Sequence, residues 1–368
     1  MSQQYNSRQL LSLGAVIALT PMLRLYPSQS AAMVGRAGWL TPLAALPLAI
    51  AWAWGMTRFL QGLRPGEHFP GLILRLGGKP ALALFTGWTL LYASFVLRSG
   101  ADRLVGTVYP GASPALFSQL MGLIALLAAL STPRTLARMG RMLLPILYGV
   151  LALLLFFAFT SVDLGNLLPV GAEDVWPVLQ ATPLPLDILA GTGTALCFLA
   201  GGVKNGEPRF SRLAVWAAGL CVLASLLTVA VTGAFGAPLS AQLARPFFVL
   251  VRTLSFFRTV ERVEALVVML WIFPDFLISA LFLWAGQYGL RLLCGFRPDD
   301  QPKARLDFSE GRFLTWAFGA AATVLALFLA PDPAALERWS TAIIPAANLG
   351  FVFVFLPVIY IVGKKRAA

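Results

Sequence analysis

The feature that most constrains this chain is a recurrence of apolar stretches long enough to cross a bilayer. A first, interrupted stretch begins near residue 8, and others follow at about 39–60, 81–103, 114–131, 142–161, 184–203, 213–234, 263–290, 312–330 and 339–362. A spanning helix needs about 20 apolar residues, because hydrocarbon satisfies no backbone polar group and a helix bonds its own. Ten such helices use roughly 200 residues of the 368, so no large domain outside the membrane fits. The expected fold is an all-α polytopic membrane protein, a single integral domain over 1–368 with about ten transmembrane helices.

Composition agrees and removes several classes of function. Hydrophobic residues make up 58% and charged residues 12%, against roughly 45–50% and about 25% in soluble domains. A soluble globular enzyme is excluded. The net charge of +12 does not call for nucleic acid, since basic residues accumulate in the cytoplasmic loops of any polytopic protein. The one histidine, His68, sits in a polar loop, and Cys197, Cys221 and Cys294 lie in or at the ends of apolar stretches without C-x-x-C spacing. They read as buried thiols. A catalytic triad and a zinc site therefore drop out, and no catalytic residue, metal or cofactor is expected. The Asp299-Asp300 pair resembles part of a Mg²⁺ motif, but it stands in the polar loop Arg297 to Pro302 without a second acidic cluster, so it reads as a solvated loop and not as a lipid-modifying enzyme's site.

Loop charges orient the chain. With the N-terminus inside, about 19 of the 28 basic residues fall on the inner side. The loop from Asp163 to Thr182 carries Asp163, Glu173 and Asp174 and no Lys or Arg. Both termini are expected to be cytoplasmic. Two connections are more than turns. Gly66 to Lys79 reads as a short interfacial helix, and about 241–260 reads as an outer amphipathic segment in which Arg245, Arg252 and Arg258 alternate with aromatic and aliphatic residues.

In a membrane protein the informative residues are charges and helix breaks inside apolar segments, which persist where they face a cavity or a partner. Thr20-Pro21-Met22-Leu23-Arg24-Leu25-Tyr26-Pro27 places two prolines and an arginine within the first span. Each proline removes a backbone donor and clashes one turn back, so an unwound stretch is expected there. Arg24 near the midplane costs about 2.5–3.5 kcal/mol unless it meets water or an anion, and a carboxylate ligand suits it. Alternatively Arg24 pairs with Asp187, Glu264 or Asp275, and Pro21 merely kinks the helix.

The sixth span repeats the pattern with Pro183, Pro185 and Asp187 before Gly191-Thr192-Gly193-Thr194. Paired interruptions five spans apart point to a five-plus-five inverted repeat, one half at about 8–162 and the other at about 183–362, with a midplane site between the broken helices one and six. The candidate ligand-binding residues are Thr20, Met22, Arg24, Tyr26, Gly191, Thr192, Gly193 and Thr194. The candidate coupling or gating residues are Asp187, Arg262, Glu264 and Asp275. Gly201-Gly202 reads as a close-packing pair.

Several segments together resemble the B-subunit permease-like (GerAB-like) proteins of endospore germinant receptors, in the amino acid/polyamine/organocation transporter superfamily. Ser7-Arg8-Gln9-Leu10 before the broken span and Gly35-Arg36-Ala37-Gly38-Trp39-Leu40 are similar to that family's opening and its A-G-R-D-A-W segment. Gly77-Gly78-Lys79 is similar to its L-G-K, and Glu261-Arg262-Val263-Glu264-Ala265-Leu266 with Trp271-Ile272 to its signature entering span eight. The chain departs from the family at Thr20-Pro21-Met22-Leu23-Arg24, where relatives carry a glycine-rich stretch, and at Leu199-Ala200-Gly201, where relatives often carry an acidic residue. The resemblance implies a LeuT-like fold and a membrane subunit that senses a small nutrient, commonly an amino acid, in the spore inner membrane. It also implies partners, a larger membrane subunit and a lipoprotein, besides membrane lipid. The alternative function is a secondary amino acid permease coupled to H⁺ or Na⁺.

Overall fold

The computed structural model describes residues 5–64, 66–203, 209–253, 264–296 and 310–367, the side chains of 264, 310–312, 366 and 367 excepted. The described residues form α1 (Ser7–Arg24), α2 (Tyr26–Val34), α3 (Thr41–Ala44), α4 (Leu46–Leu60), α5 (Phe69–Thr107), α6 (Pro114–Ala129), α7 (Pro133–Phe159), α8 (Val175–Gln180), α9 (Pro183–Cys197), α10 (Phe210–Gln242), α11 (Pro246–Thr253), α12 (Glu264–Leu293), α13 (Glu310–Leu329), α14 (Pro333–Arg338), α15 (Ile344–Gly350) and α16 (Leu356–Ala367). Many begin with proline in the first turn, where the missing N–H would have had no partner anyway. Extended pairing among the described residues is one isolated parallel bridge, Tyr5 to Val203.

Six helical runs are long and apolar enough to cross a membrane: Tyr26–Leu60, Phe69–Thr107, Pro133–Phe159, Phe210–Gln242, Ala265–Leu293 and Pro333–Lys365. Two shorter apolar helices, Pro114–Ala129 and Phe313–Leu329, accompany them. Met142, Ile146, Phe156, Val215, Phe328 and Val354 are exposed on the flanks, as expected where the solvent is lipid.

Span one divides at Leu25, where α1 ends and α2 begins. Pro27 occupies the first turn of α2, while Pro21 lies inside α1. Span six differs from the sequence expectation. α9 runs unbroken through Gly191-Thr192-Gly193-Thr194, and the helix gives way only at Phe198 and Leu199, before a 3-10 turn at Ala200–Gly202. The reason is positional: Pro183 and Pro185 stand in the first turn, where proline removes no intrahelical bond. Thr192 meanwhile returns its hydroxyl to the Ile188 carbonyl at 2.6 Å. Gly201 is a packing residue, since a Cβ there would stand 1.8 Å from the Glu67 carbonyl oxygen.

The segment expected to lie on the membrane surface instead enters the protein. Gly78, with φ +74°, separates residues 69–77 from the long span of α5, a conformation that glycine adopts without steric cost. Phe69, Leu72 and Ile73 are fully buried. Phe69 meets Phe59, Phe85 and Phe198 with ring centroids 5.4, 5.9 and 5.6 Å away. The bundle offers this apolar face an aromatic floor, and only the polar side, with Arg75 paired to Glu67 at 2.8 Å, faces out.

An aromatic spine fills the centre. Trp88 stacks on Phe351 at 4.1 Å and Tyr92 on Phe282 at 4.2 Å, joining α5, α12 and the chain between α15 and α16. α11 covers one end with Phe247, Phe248, Leu250 and Val251 buried, and Phe248 lies 5.6 Å from Trp271. Residues 254–260 of that amphipathic segment lie outside the described residues. Cys197 and Cys221 are buried as expected, whereas Cys294 is exposed, because it follows the last turn of α12.

Candidate functional site

The long helix α5 carries Arg98, Ser99, Asp102 and Arg103, which helical periodicity places in two i,i+4 pairs on neighbouring faces. Arg103 bonds the Asp275 carboxylate of α12, and both side chains are 3% exposed. Two charges withdrawn from water cost several kcal/mol each and persist only when paired this closely. Arg103 also donates to the Ser99 hydroxyl at 2.9 Å.

Arg24 approaches the same hydroxyl from the other side. At the end of α1, just before the interruption at Leu25, its guanidinium donates to Ser99 at 2.8 Å and to Ser340, and lies 5.6 Å over the Phe95 ring. Among the described residues no carboxylate forms an ion pair with Arg24. Ser340 belongs to a π-helical stretch, Trp339–Ile343, and a second such stretch follows at Phe351–Phe355. Single π turns re-aim side chains and recur at functional sites.

Between those two stretches, Asn348 donates to Asp187 of α9 at 2.7 Å and accepts from the Trp88 indole at 3.3 Å. Asp187 has no basic partner among the described residues. Gly191, one turn further along α9, leaves space here. A Cβ at that position would stand 2.9 Å from the Tyr92 hydroxyl and 3.0 Å from the Asn348 amide nitrogen. Tyr92 stands on the same helix as Ser99 and Arg103, and a Cβ at Gly100 of that helix would lie 3.1 Å from the Asp275 carboxylate, so α5 links the two polar clusters.

The remaining candidates divide. Thr20 donates to the Trp271 carbonyl at 3.2 Å, tying α1 to α12. Met22 and Tyr26 are buried in the core. Gly193 seats the Trp52 ring, 2.5 Å from where its Cβ would stand, and the Thr194 hydroxyl is buried without a hydrogen-bond partner among the described residues. Arg262 lies outside the described residues, as do Asp299 and Asp300; Glu264 opens α12, its side chain likewise outside them. Neither Asp187 nor Asp275 takes Arg24 as an ion-pair partner.

Sequence reasoning missed Arg98, Ser99, Arg103, Tyr92, Ser340 and Asn348. Arg98 and Arg103 stand within or at the end of the apolar run 81–103, so the rule that flagged Arg24 finds them too. Neutral Ser99, Ser340 and Asn348 carry no comparable signal. Towards one end of α5, Arg245 reaches Asp102 at 3.0 Å and the Gly106 carbonyl at 3.3 Å, fastening the segment before α11. Among the described residues of this region, Arg103 pairs with Asp275 and Arg245 with Asp102, whereas Arg24 and Asp187 meet neutral groups.

A family model described as spore germination protein matches residues 9–300. The chain belongs to the spore germination protein family. No curated protein sequence matches it. Among solved structures, this family member is similar to MhsT in complex with L-phenylalanine, with TM-score 0.64 and 15% identity over 99% of this chain and 89% of that one. It is also similar to Mhp1, a nucleobase-cation-symport-1 family transporter in a closed conformation with bromovinylhydantoin bound, with TM-score 0.62 and 13% identity over 97% and 78%. Both are LeuT-fold transporters, and the spore germination family member shares that fold. At these identities the likeness speaks for the fold.

Proposed function

We propose that this protein is the membrane subunit of a nutrient germinant receptor. It binds a small amino-acid-like ligand at the bundle centre and passes the resulting change to partner subunits in the spore inner membrane. The observation that carries this reading is Arg24. A guanidinium inside an apolar bundle, held by two serine hydroxyls and an aromatic face and by no described carboxylate, offers charge to an anionic ligand. Asp187, bonded only to the neutral Asn348, offers the opposite charge to a ligand ammonium. The MhsT complex, with an amino acid bound in the same fold, agrees with this chemistry. A ligand that binds one state better shifts the population towards it, and the junction at Leu25 is where the α1 and α2 halves of span one can re-aim.

Equilibrium binding of a labelled amino acid panel to the purified protein tests the reading, alongside sugars and nucleosides. Saturable amino acid binding that Arg24→Gln abolishes is expected. Binding of sugars or nucleosides alone, insensitive to Arg24, overturns it. Gradient-driven uptake of the bound amino acid into proteoliposomes would move the protein from receptor to permease.

A further inference from the structure

A groove on the outer flank of the bundle lies apart from the central polar residues. α1, α7 and α10 leave an open groove of about 540 Å³ whose walls include Leu11, Ala15, Leu144 and the floor residue Trp216, with Arg8 and Arg141 also lining it. Both arginines are exposed, and neither forms an ion pair among the described residues. Trp216 reaches the floor because Gly14 has no side chain, its ring standing 3.1 Å from where a Cβ would be. The Tyr148 hydroxyl donates to the Ala15 carbonyl at 3.0 Å, fastening α7 to α1 along the groove. Exposed Met142, Ile146 and Val215 flank these helices, so the groove faces hydrocarbon.

We infer that this groove binds one anionic phospholipid, its phosphate held by Arg8 and Arg141 and an acyl chain laid along Leu11, Ala15 and Leu144 onto Trp216. The charge argument excludes a purely apolar occupant: two unneutralised guanidinium groups beside a hydrocarbon-lined channel match a headgroup phosphate joined to a chain. A helix of the bundle would satisfy the apolar wall and leave both cations uncompensated. Because α1 leads directly to Arg24, an occupied groove also fixes the helix that carries the central guanidinium.

The test uses the full chain purified in detergent and titrated with phosphatidylglycerol or phosphatidylcholine of identical acyl chains, with retained lipid counted by native mass spectrometry. Preferential retention of one phosphatidylglycerol is expected. The Arg8→Gln/Arg141→Gln double variant should lower that preference about 30-fold, from roughly 1 kcal/mol for each basic residue. Ser12→Phe, which narrows the groove and keeps both arginines, should lower retention of both lipids. Soluble glycerol phosphate should not compete, which separates a whole lipid from a bare phosphate. Equal retention of the two lipids, or a double variant that retains phosphatidylglycerol as the wild type does, overturns the inference.

Discussion

The side-chain amide of Asn348 donates to the carboxylate of Asp187 at 2.7 Å, joining α15 to α9 at the centre of the bundle. The bond gives Asp187 a neutral partner and brings no positive charge to it. The acid is thereby held in place with no basic partner among the described residues.

Asp187→Asn is accordingly expected to weaken binding of an amino acid ligand about 30-fold or more, the scale of removing one member of a desolvated charge pair. Isothermal titration of the purified variant checks this. Unchanged affinity would remove Asp187 from the ligand site.

Arg103 and Asp275 form the opposite case, a pair whose charges satisfy each other. Arg103→Gln alone strands a buried carboxylate and should destabilise the protein by about 3–5 kcal/mol, whereas the joint replacement Arg103→Met/Asp275→Leu should recover most of that loss. A double-mutant cycle on detergent unfolding reads the difference.

The pair Arg245 and Asp102 is 22% and 30% exposed, so its contribution is small. Arg245→Ala should cost less than about 1 kcal/mol in the same unfolding assay. A loss comparable to that of Arg103→Gln would mean that the α11 end of the bundle is far drier than its exposure indicates.

Gly191 gives a steric test. Gly191→Ala brings a methyl group to 2.9 Å from the Tyr92 hydroxyl and should cost about 1–3 kcal/mol, as overpacking does. Adding Tyr92→Phe removes the obstructing oxygen and should restore part of the melting temperature.

His68 supplies a pH dependence. It packs edge-on against Trp284 and Tyr288, and burial lowers its pKa to about 4. The unfolded chain binds a proton near pH 6.5 and the folded chain does not until about pH 4. Stability therefore falls as pH drops from about 6.5 to 4, by on the order of 3 kcal/mol. Melting curves of wild type and His68→Phe across that window should diverge, the variant losing this slope.

Part of the candidate site was legible because charge in an apolar run is costly anywhere along the chain. That rule found Arg24, Asp187 and Asp275 and, applied evenly, reaches Arg98 and Arg103. It could not find Ser99, Ser340 or Asn348, whose importance lies in which charged group each one touches. Proline position misled at span six: a proline reads as a break wherever it falls, yet in the first turn of α9 it costs no hydrogen bond, and Gly191 to Thr194 stay helical.

The sequence by itself determined that the chain is helical and lives in a bilayer, since runs of apolar residues of that length can satisfy their backbone in hydrocarbon only as helices. It also marked Pro21 to Pro27 as a weak point of span one, because proline inside a helix removes a donor. Only the tertiary structure decided the partners: that Asp275 pairs with Arg103 while Arg24 and Asp187 meet neutral groups among the described residues, and that residues 69–77 pack inward on Phe198. Those outcomes depend on which side chains meet across helices far apart in sequence, and local periodicity carries no record of that meeting.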